Sequence, residues 1–290
     1  MPPKFSQMTI RHTNASKAVC VIGWPVEHSR SPLIHNHWIK ELGLAAEYRR
    51  EGVPPEKFAD FVSRLAEHGY AGANVTVPHK EAALRLSDPD ARATAVSAAN
   101  TLWLDGGVLR STNTDGEGFI GNLDATVPGW ERDASSAVVL GAGGAARSIV
   151  YGLIERGVEQ VHVVNRSLER AAALRAQFGE RVHPRRWEET EALLPSAGLL
   201  VNTTTVGMAG QPALVLDLAR LPAQAVVSDI VYVPLETALL RAARARGLRS
   251  VDGLGMLLHQ AVGGFARWFG VRPRVTEALR ALVEADLARK

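Results

Sequence analysis

The chain has 290 residues, of which 46% are hydrophobic and 22% are charged, and its formal net charge at pH 7 is +3. This composition excludes a disordered chain, a collagen and a small disulfide-stapled protein, and the length predicts two domains or one large domain. The 30 acidic residues are interspersed with the 33 basic ones. No nucleic-acid partner is expected, because such binding requires basic residues clustered on one face.

The cysteine content and the absence of a targeting pattern predict the compartment in which the protein is located. Cys20 is the only cysteine, so that no intramolecular disulfide can form. The N-terminus lacks the apolar core of a signal peptide. The longest uncharged stretch, residues 192–216, contains two prolines and a polar Asn-Thr-Thr-Thr run, which do not suit a membrane span. We therefore expect a reduced, cytoplasmic compartment and no membrane partner.

Strand-like and helix-like segments alternate along the chain, which predicts an α/β fold with mostly parallel sheets. In the first 120 residues the pattern predicts three strands, at residues 18–23, 45–50 and 71–77. The helix that follows the first strand is expected to begin with Ser31 as its N-cap and Pro32 directly after it.

Helices and a hairpin are predicted between and after these strands. A helix opens at residues 54–56, and two short helices follow before Asn100. The sequence Asp-Gly-Gly at residues 105–107 is typical of a tight hairpin turn. This strand-rich first section is predicted to end near residue 120.

The second half predicts buried strands that alternate with helices. The strands are expected at residues 136–140, 161–164, 198–202, 225–229 and 249–251. Helices are expected from about Pro234 onward, and then at residues 253–269 and 273–288. Two α/β lobes with a cleft between them follow from this arrangement.

A dinucleotide-binding signature follows the strand at residues 136–140. Gly141, Gly143 and Ala146 match the pattern G-x-G-x-x-A between a buried strand and the start of a helix. In such a turn the first glycine permits the bend, the second lets the backbone approach a pyrophosphate, and the helix N-terminus supplies amide donors. An ordinary glycine-rich turn between a strand and a helix is the alternative interpretation.

The end of the next strand predicts which dinucleotide binds. An NAD site usually has an acidic residue there, which accepts a hydrogen bond from the ribose 2′-hydroxyl. This chain has Asn165, Arg166 and Ser167 instead, with Arg170 one helical turn later. Guanidinium groups without a carboxylate favour a 2′-phosphate and hence NADP. Arg170 also fits a second interpretation, as a solvated helix residue paired with Glu169 or another neighbour.

Polar side chains cluster on short loops that follow strands in the first 120 residues. These loops contain the sequences Ser29-Arg30-Ser31-Pro32, Asn74-Val75-Thr76-Val77-Pro78-His79-Lys80, Ala99-Asn100-Thr101 and Asn113-Thr114-Asp115-Gly116. Each loop alone has a local structural explanation, such as a surface role for Lys80 and for His79. Together, beside a dinucleotide lobe, they predict one polar pocket for a small, hydroxylated, anionic ligand. The nine histidines do not predict a metal site.

The order of these motifs resembles the shikimate dehydrogenase family. The resemblance continues in the second half through Gly141–Arg147, Asn165-Arg166-Ser167, Asn202-Thr203-Thr204, Val206-Gly207-Met208, and Asp252–Leu257 with Gln260. It covers nearly the whole chain. It implies an NADP-dependent enzyme that reversibly reduces 3-dehydroshikimate to shikimate, in the pathway to chorismate and the aromatic amino acids.

The resemblance also implies a role for each matching residue. Lys80 and Asp115 are implied as the catalytic pair beside the reacting carbon. Substrate contacts are implied for Ser29 and Ser31 at the carboxylate, for Thr76, Asn100 and Gln260 at the ring hydroxyls, and for Tyr232, which would close the pocket. Cofactor contacts are implied for Gly141, Ala142, Gly143, Gly144, Ala145, Asn165, Arg166, Ser167, Arg170, Thr203, Gly253 and Met256, and no metal is implied.

By the same resemblance, the first lobe is discontinuous. Residues 1–120 are expected to form the substrate-binding and catalytic lobe, residues 121–252 a Rossmann-type NADP-binding lobe, and residues 253–290 helices that pack back on the first lobe. A monomer or a homodimer is expected.

Three other functions stay open at this point. They are a quinate/shikimate dehydrogenase, a methylenetetrahydrofolate dehydrogenase and a catalytically inactive NADP-sensing relative. The Ser-x-Ser motif argues against the folate enzyme, and the presence of both Lys80 and Asp115 argues against an inactive protein.

Overall fold

Two six-stranded sheets organise residues 17–289, which are the part of the chain that the computed structural model describes. The strands of the first sheet are β1 (Lys17–Gly23), β2 (Ala46–Gly52), β3 (Tyr70–Val75), β4 (Asp88–Pro89), β5 (Thr101–Asp105) and β6 (Val108–Thr112). The helices of this half are α1 (Ser31–Glu41), α2 (Pro55–Ser63), α3 (Lys80–Arg85), α4 (Ala91–Val96) and α5 (Asp115–Thr126).

The first sheet mixes parallel and antiparallel pairing, in the strand order β2-β1-β3-β5-β6-β4. Strand β1 pairs in parallel with β2 and β3, whereas β5 pairs antiparallel with both β3 and β6. The β5–β6 turn consists of Gly106 and Gly107, whose φ angles of 56° and 83° are both left-handed. A two-residue hairpin turn of this kind requires such angles, which explains why the glycine pair predicts the hairpin correctly.

The second sheet is entirely parallel, in the order β12-β11-β10-β7-β8-β9. Its strands are β7 (Ser136–Leu140), β8 (Gln160–Asn165), β9 (Val182–Arg186), β10 (Leu199–Asn202), β11 (Val226–Asp229) and β12 (Arg249–Val251). The remaining helices are α6 (Gly144–Glu155), α7 (Leu168–Phe178), α8 (Thr190–Leu193), α9 (Ala238–Ala245), α10 (Gly253–Phe269) and α11 (Glu277–Leu287). The strand order reverses direction between β7 and β10, where sheets of this type bind ligands.

Two predicted helix starts in the second half are wrong by about one turn. Helix α9 begins at Ala238 rather than near Pro234, because the Thr237 hydroxyl caps it by accepting from the Leu240 amide at 3.3 Å. Helix α11 begins at Glu277 rather than at residue 273, with the Thr276 hydroxyl as its cap. A threonine cap satisfies an otherwise unpaired amide, and it decided the boundary in both helices.

Two further elements also differ from the prediction. Ser31 is the first residue of α1, and Arg30 is its N-cap. Strand β9 was not predicted, because it contains Pro184 and two arginines. It lies at the edge of the sheet, where a proline amide is not needed for pairing.

The two C-terminal helices pack against the first half of the chain. Leu258 and Phe265 of α10 are buried in one apolar cluster with Val19 of β1 and Trp38 of α1. The Trp268 indole also donates to the carbonyl of Leu102 in β5 at 2.8 Å. Lobe boundaries at residues 120 and 252 stay a prediction.

Helix α5 lies against both halves of the molecule at very short distances. A Cβ atom on Gly116 would be 2.5 Å from the Ser148 carbonyl oxygen of α6, and one on Gly118 would be 2.7 Å from the Gln260 backbone nitrogen of α10. Glycine is required where backbones approach this closely. The position of Gln260 is therefore fixed relative to Asp115, which begins α5.

A cluster of buried aromatic side chains joins β2 of the first sheet to helices α1 and α10. The His35 ring is fully buried and lies parallel to the Tyr48 ring, with 4.2 Å between the ring centroids. Trp38, Phe265 and Trp268 surround the same histidine. Burial lowers the pKa of His35 to about 3, because the cluster cannot solvate a charged imidazolium.

We expect this histidine to make the protein less stable as the pH falls from about 6.5 towards about 3. The folded-state pKa lies below the unfolded value, so the unfolded state binds more protons throughout this interval. The free energy of unfolding should fall more steeply in the wild type than in His35→Phe, by about 1.4 kcal/mol per pH unit. Urea unfolding across this interval measures both slopes, and equal slopes would contradict the assignment.

Candidate active site

A cavity of about 350 Å³ opens between the two lobes, beyond the carboxyl ends of β1 and β3. Seven side chains singled out by the sequence line it together: Ser29, Ser31, Thr76, Lys80, Asn100, Tyr232 and Gln260. Tyr232 follows β11 of the second lobe, and Gln260 lies on α10. The structure thus brings residues from both halves of the chain into one polar pocket.

One end of the cavity suits a carboxylate group. The Ser29 hydroxyl accepts from the Ser31 amide at 3.3 Å, which folds this loop onto the start of α1. Arg50 donates to the Ser29 carbonyl oxygen at 3.0 and 2.7 Å. Arg30, which also lines the cavity, donates to Asp286 of α11 at 3.1 Å. The two serine hydroxyls and the N-terminus of α1 therefore favour negative charge here, whereas the Arg30 guanidinium is already paired with Asp286.

Lys80 lines the cavity and forms an ion pair with Asp115, which lies behind it and is not one of the lining residues. The Lys80 ammonium donates to Asp115 Oδ2 at 2.6 Å, and the Asn100 side-chain amide donates to Asp115 Oδ1 at 2.7 Å. Asp115 is 6% exposed, whereas the Lys80 side chain retains 29% of its surface. The carboxylate is thus held in a fixed place, and the ammonium group of Lys80 can face a ligand.

His79 is buried, so its expected surface position is wrong. The His79 ring is 2% exposed and stacks on Phe58, with 4.3 Å between the ring centroids. Its Nε2 atom forms a hydrogen bond with the carbonyl oxygen of Val53 at 2.7 Å. The Phe58 stack and the Val53 hydrogen bond together fix the position of His79, which directly precedes Lys80. Its contacts lie far along the sequence, which is why the local pattern did not reveal them.

Asn74 also lines the cavity, although the sequence argument gave it no separate role. It lies two residues before Thr76 in the same extended segment, and both residues line the cavity. The period of two in extended backbone places such residues on one face. The two-residue spacing from Thr76 was the feature of the sequence that could have predicted Asn74 as a cavity residue.

The glycine-rich turn after β7 has the shape that a pyrophosphate needs. Gly141 has a φ angle of 107°, and a Cβ atom on it would be 2.7 Å from the Thr203 hydroxyl. Gly143 caps α6, and Cβ atoms on Gly143 and Gly144 would meet nothing within 4 Å. The helix N-terminus is therefore open to solvent at the switch point of the sheet, between β7 and β10. Ala142 and Ala145 belong to the same turn and are partly buried.

The turn after β8 presents two exposed arginines. The Asn165 side chain closes this turn by donating to the Ser167 carbonyl oxygen at 2.9 Å. The Ser167 hydroxyl donates to Glu169 at 2.8 Å. No ion pair within residues 17–289 involves Arg166 or Arg170, so the alternative pairing of Arg170 with Glu169 is not present. Both guanidinium groups are available to an anionic ligand.

The start of α10 lies beside the end of β11, and later residues of the same helix line the cavity. A Cβ atom on Gly253 would be 2.1 Å from the Ile230 carbonyl oxygen, so only glycine fits beside the end of β11. Asp252 caps α10 and accepts from Arg280 of α11 at 2.7 Å. Met256 is partly buried against the core of the second lobe. These contacts hold the first turn of α10 at the cleft.

Within residues 17–289, no helix combines the length and the hydropathy needed to cross a membrane. In that same range, no group of three or more histidine, cysteine, aspartate or glutamate side chains is placed to hold a metal ion.

The parallel sheet with its glycine-rich turn, and the lysine–carboxylate pair in the cleft beside it, define a two-lobed dinucleotide-dependent dehydrogenase. Three family models match the chain in order. They are the shikimate dehydrogenase substrate binding domain at residues 21–102, shikimate / quinate 5-dehydrogenase at residues 127–217, and the shikimate 5'-dehydrogenase C-terminal domain at residues 253–283. The chain belongs to the shikimate dehydrogenase family.

Individual relatives agree with this assignment. Shikimate dehydrogenase (NADP(+)) of Rhodopseudomonas palustris strain TIE-1 is 66% identical over 274 residues, covering 94% of this chain and 98% of that protein. The structure of shikimate 5-dehydrogenase from Thermus thermophilus in complex with NADP(H) and shikimate has a TM-score of 0.79 at 36% identity, covering 94% of this chain and 99% of that one. Quinate dehydrogenase from Corynebacterium glutamicum in complex with NAD has a TM-score of 0.81 at 31% identity, with the same coverage. The predicted family, fold class and NADP cofactor are confirmed.

Proposed function

We propose that this chain is an NADP-dependent shikimate dehydrogenase, which transfers hydride from NADPH to 3-dehydroshikimate and releases shikimate. The observation that carries this proposal is the 2.6 Å contact between Lys80 and Asp115, because Lys80 lines the same cavity as Ser29 and Ser31. The high sequence identity of the chain to NADP-dependent shikimate dehydrogenases supports the same substrate and cofactor. The reaction belongs to the pathway that leads to chorismate and the aromatic amino acids.

NADP would occupy the turns at the carboxyl ends of β7, β8 and β10, and when bound its reduced form, NADPH, would supply the hydride. The pyrophosphate would lie against Gly141, Ala142, Gly143, Gly144 and Ala145 at the start of α6. Asn165, Arg166, Ser167 and Arg170 would hold the adenosine end, where the two guanidinium groups pair with the 2′-phosphate. Thr203, Gly253 and Met256 would border the remainder of the cofactor.

The substrate is oriented by contacts at both ends of the cavity. Ser29 and Ser31 would donate to the carboxylate of shikimate, next to the positive end of α1. Thr76, Asn100 and Gln260 would contact the ring hydroxyls, and Tyr232 would close the pocket from the second lobe. Orientation of this kind can account for a large part of the rate enhancement of an enzyme.

Lys80 is placed to manage the proton that accompanies hydride transfer. Reduction of the carbonyl leaves an alkoxide, which must receive a proton or a nearby positive charge. The Lys80 ammonium can polarise the carbonyl and then donate this proton, and in the reverse reaction its amine accepts the proton from the hydroxyl. Asp115 orients the amine through its 2.6 Å contact and is itself held by Asn100.

The organisation of the protein follows from the same proposal. Residues 17–120 and 253–289 together would form the substrate lobe and residues 121–252 the NADP lobe, while residues 1–16 and 290 of the predicted first lobe lie outside the described part of the chain. The α10 contacts with β1, α1 and β5 support this division. The reaction would take place in the cytoplasm, in a monomer or a homodimer, and the free, buried thiol of Cys20 is compatible with a reducing compartment.

The proposal is tested by the steady-state oxidation of shikimate and of quinate, each with NADP and with NAD. We expect shikimate with NADP to have a kcat/KM at least about tenfold above every other combination, because one charge-assisted hydrogen bond contributes about 1.5–3 kcal/mol. Preference for quinate would reassign the substrate. Tight NADP binding without any shikimate-dependent reduction would overturn the enzymatic function.

A further inference from the structure

A continuous set of buried and partly buried hydrogen bonds connects the catalytic pair to a residue outside the cavity. Its members, in order, are Tyr48, Asn74, Thr101, Asn100, Asp115 and Lys80, and we refer to them as the Tyr48 network. Tyr48 is 3% exposed and does not line the cavity. Any effect of Tyr48 on the active site must therefore pass through its neighbours.

Two backbone groups determine the orientation of the two amide side chains in the network. Asn100 Oδ1 accepts from the Thr114 amide at 2.9 Å, which can only donate, so the Asn100 Nδ2 atom faces Asp115. Asn74 Nδ2 donates to the Asn100 carbonyl oxygen at 3.1 Å, which can only accept, so Asn74 Oδ1 faces Tyr48. If the Asn100 side chain rotated by half a turn, its Nδ2 atom would face the Thr114 amide, and two donors would oppose one another. If the Asn74 side chain did so, its Oδ1 atom would face the Asn100 carbonyl oxygen, and two acceptors would oppose one another.

With both amides fixed, every donor in the network points towards Asp115. The Tyr48 hydroxyl donates to Asn74 Oδ1 at 2.7 Å, and Asn74 Nδ2 donates to the Thr101 hydroxyl at 3.1 Å. The Thr101 hydroxyl donates to Asn100 Oδ1 at 2.9 Å, and Asn100 Nδ2 donates to the Asp115 carboxylate at 2.7 Å. Hydrogen bonds aligned in one direction polarise one another, so that each strengthens the next.

The surroundings of Tyr48 keep its hydroxyl protonated, so that it acts as a hydrogen-bond donor. The His35 ring lies flat against the Tyr48 ring at 4.2 Å, and the Tyr48 backbone amide donates to the Asn36 side chain at 2.9 Å. Burial raises the pKa of Tyr48 well above its ordinary value, so the hydroxyl keeps its proton.

We propose that Tyr48 is a positioning residue for the Lys80–Asp115 pair, which acts through Asn74, Thr101 and Asn100. The hydroxyl of Tyr48 orients Asn74, and the aligned donors then hold the Asp115 carboxylate in the orientation that aims Lys80 at the substrate. This role rests on the proposed function of Lys80 and Asp115, and it assigns catalytic importance to a residue that does not line the cavity.

The test compares Tyr48→Phe with the wild type in shikimate oxidation by NADP. We expect kcat to fall about three- to tenfold, the effect of one lost hydrogen bond, with the KM for shikimate and for NADP within twofold of the wild-type values. Tyr70→Phe is the matched control, because Tyr70 is 4% exposed in the same lobe and its hydroxyl donates to Glu51, outside the network. The control should retain the wild-type kcat.

Transmission through the network is tested by a double-mutant cycle with Thr101→Val. The double variant Tyr48→Phe/Thr101→Val should lose no more kcat than Thr101→Val alone, because the two residues act in series. Thr101→Ser keeps the hydroxyl and should restore most of the kcat. Multiplicative losses in the double variant, or a loss carried by KM instead of kcat, would overturn the proposal.

The same assays separate this inference from the proposed function. If the wild type does not oxidise shikimate, the proposed function fails, whatever the variants do. If the wild type is active and Tyr48→Phe has the same kcat as the wild type and as Tyr70→Phe, the positioning role alone is wrong.

Discussion

Replacement of Lys80 by alanine is expected to lower kcat for shikimate oxidation by at least about 10²–10⁴-fold, the contribution of a general acid–base group. Lys80 is the cationic side chain bonded to Asp115, at 2.6 Å, and it lines the cavity beside Asn100. Without it, no ammonium group remains there to stabilise the alkoxide or to transfer its proton. Stopped-time or continuous assays of NADPH formation at saturating shikimate measure this loss.

The fold should tolerate the Lys80→Ala change. The side chain retains 29% of its surface and forms no apolar core, so the thermal midpoint of unfolding should stay close to that of the wild type. Lys57→Ala, at an exposed position on α2, is the matched control and should keep full activity. A near-normal kcat in Lys80→Ala would remove Lys80 from the mechanism.

Replacement of Arg166 by alanine is expected to weaken NADP binding about ten- to hundredfold and to leave NAD binding nearly unchanged. One charge-assisted hydrogen bond to a phosphate contributes about 1.5–3 kcal/mol, and each 1.4 kcal/mol corresponds to a factor of ten. Arg166 is exposed at the carboxyl end of β8, and no carboxylate pairs with it among residues 17–289. Titration of the apo protein with each dinucleotide measures both dissociation constants.

Arg175→Ala provides the control for the loss of positive charge in general. Arg175 lies in the last turn of α7, where it pairs with Glu180 at 3.3 Å, away from the turn after β8. The control should bind both dinucleotides as the wild type does. Equal weakening of NADP and NAD by Arg166→Ala would mean that the guanidinium does not recognise the 2′-phosphate.

The features that the sequence predicted well are those encoded by neighbouring residues. Gly106 and Gly107 determine the hairpin because the turn needs two left-handed angles in succession. Gly141 and Gly143 predict the cofactor turn for a similar reason, since both the bend and the open helix end depend on missing side chains. The buried strands of the parallel sheet were found from their continuous apolar runs.

Other features depend on contacts between distant residues, and local patterns do not contain them. His79 was expected at the surface, but it is buried between Phe58 and the carbonyl of Val53. Strand β9 contains Pro184 and two arginines, which disguise it in the sequence, and it forms by pairing with the edge of β8.

The candidate site shows both kinds of feature. Its residues were identified through motifs that resemble a known family, whereas the 2.6 Å contact between Lys80 and Asp115 joins positions 35 residues apart. The Tyr48 network was not predicted, because its polarity depends on the Thr114 amide and the Asn100 carbonyl. Side-chain orientation of this kind exists only in the folded chain.

The central claim is that hydride transfer takes place beside Lys80 and Asp115 in the cleft between the lobes. A crystal structure of the chain with shikimate and NADP bound tests it most directly. We expect the 3-hydroxyl of shikimate within hydrogen-bond distance of Lys80, and its C3 atom about 3–3.5 Å from the nicotinamide ring. Shikimate bound with its carboxylate at Lys80, or with C3 turned away from the nicotinamide, would show that hydride transfer does not take place beside this pair.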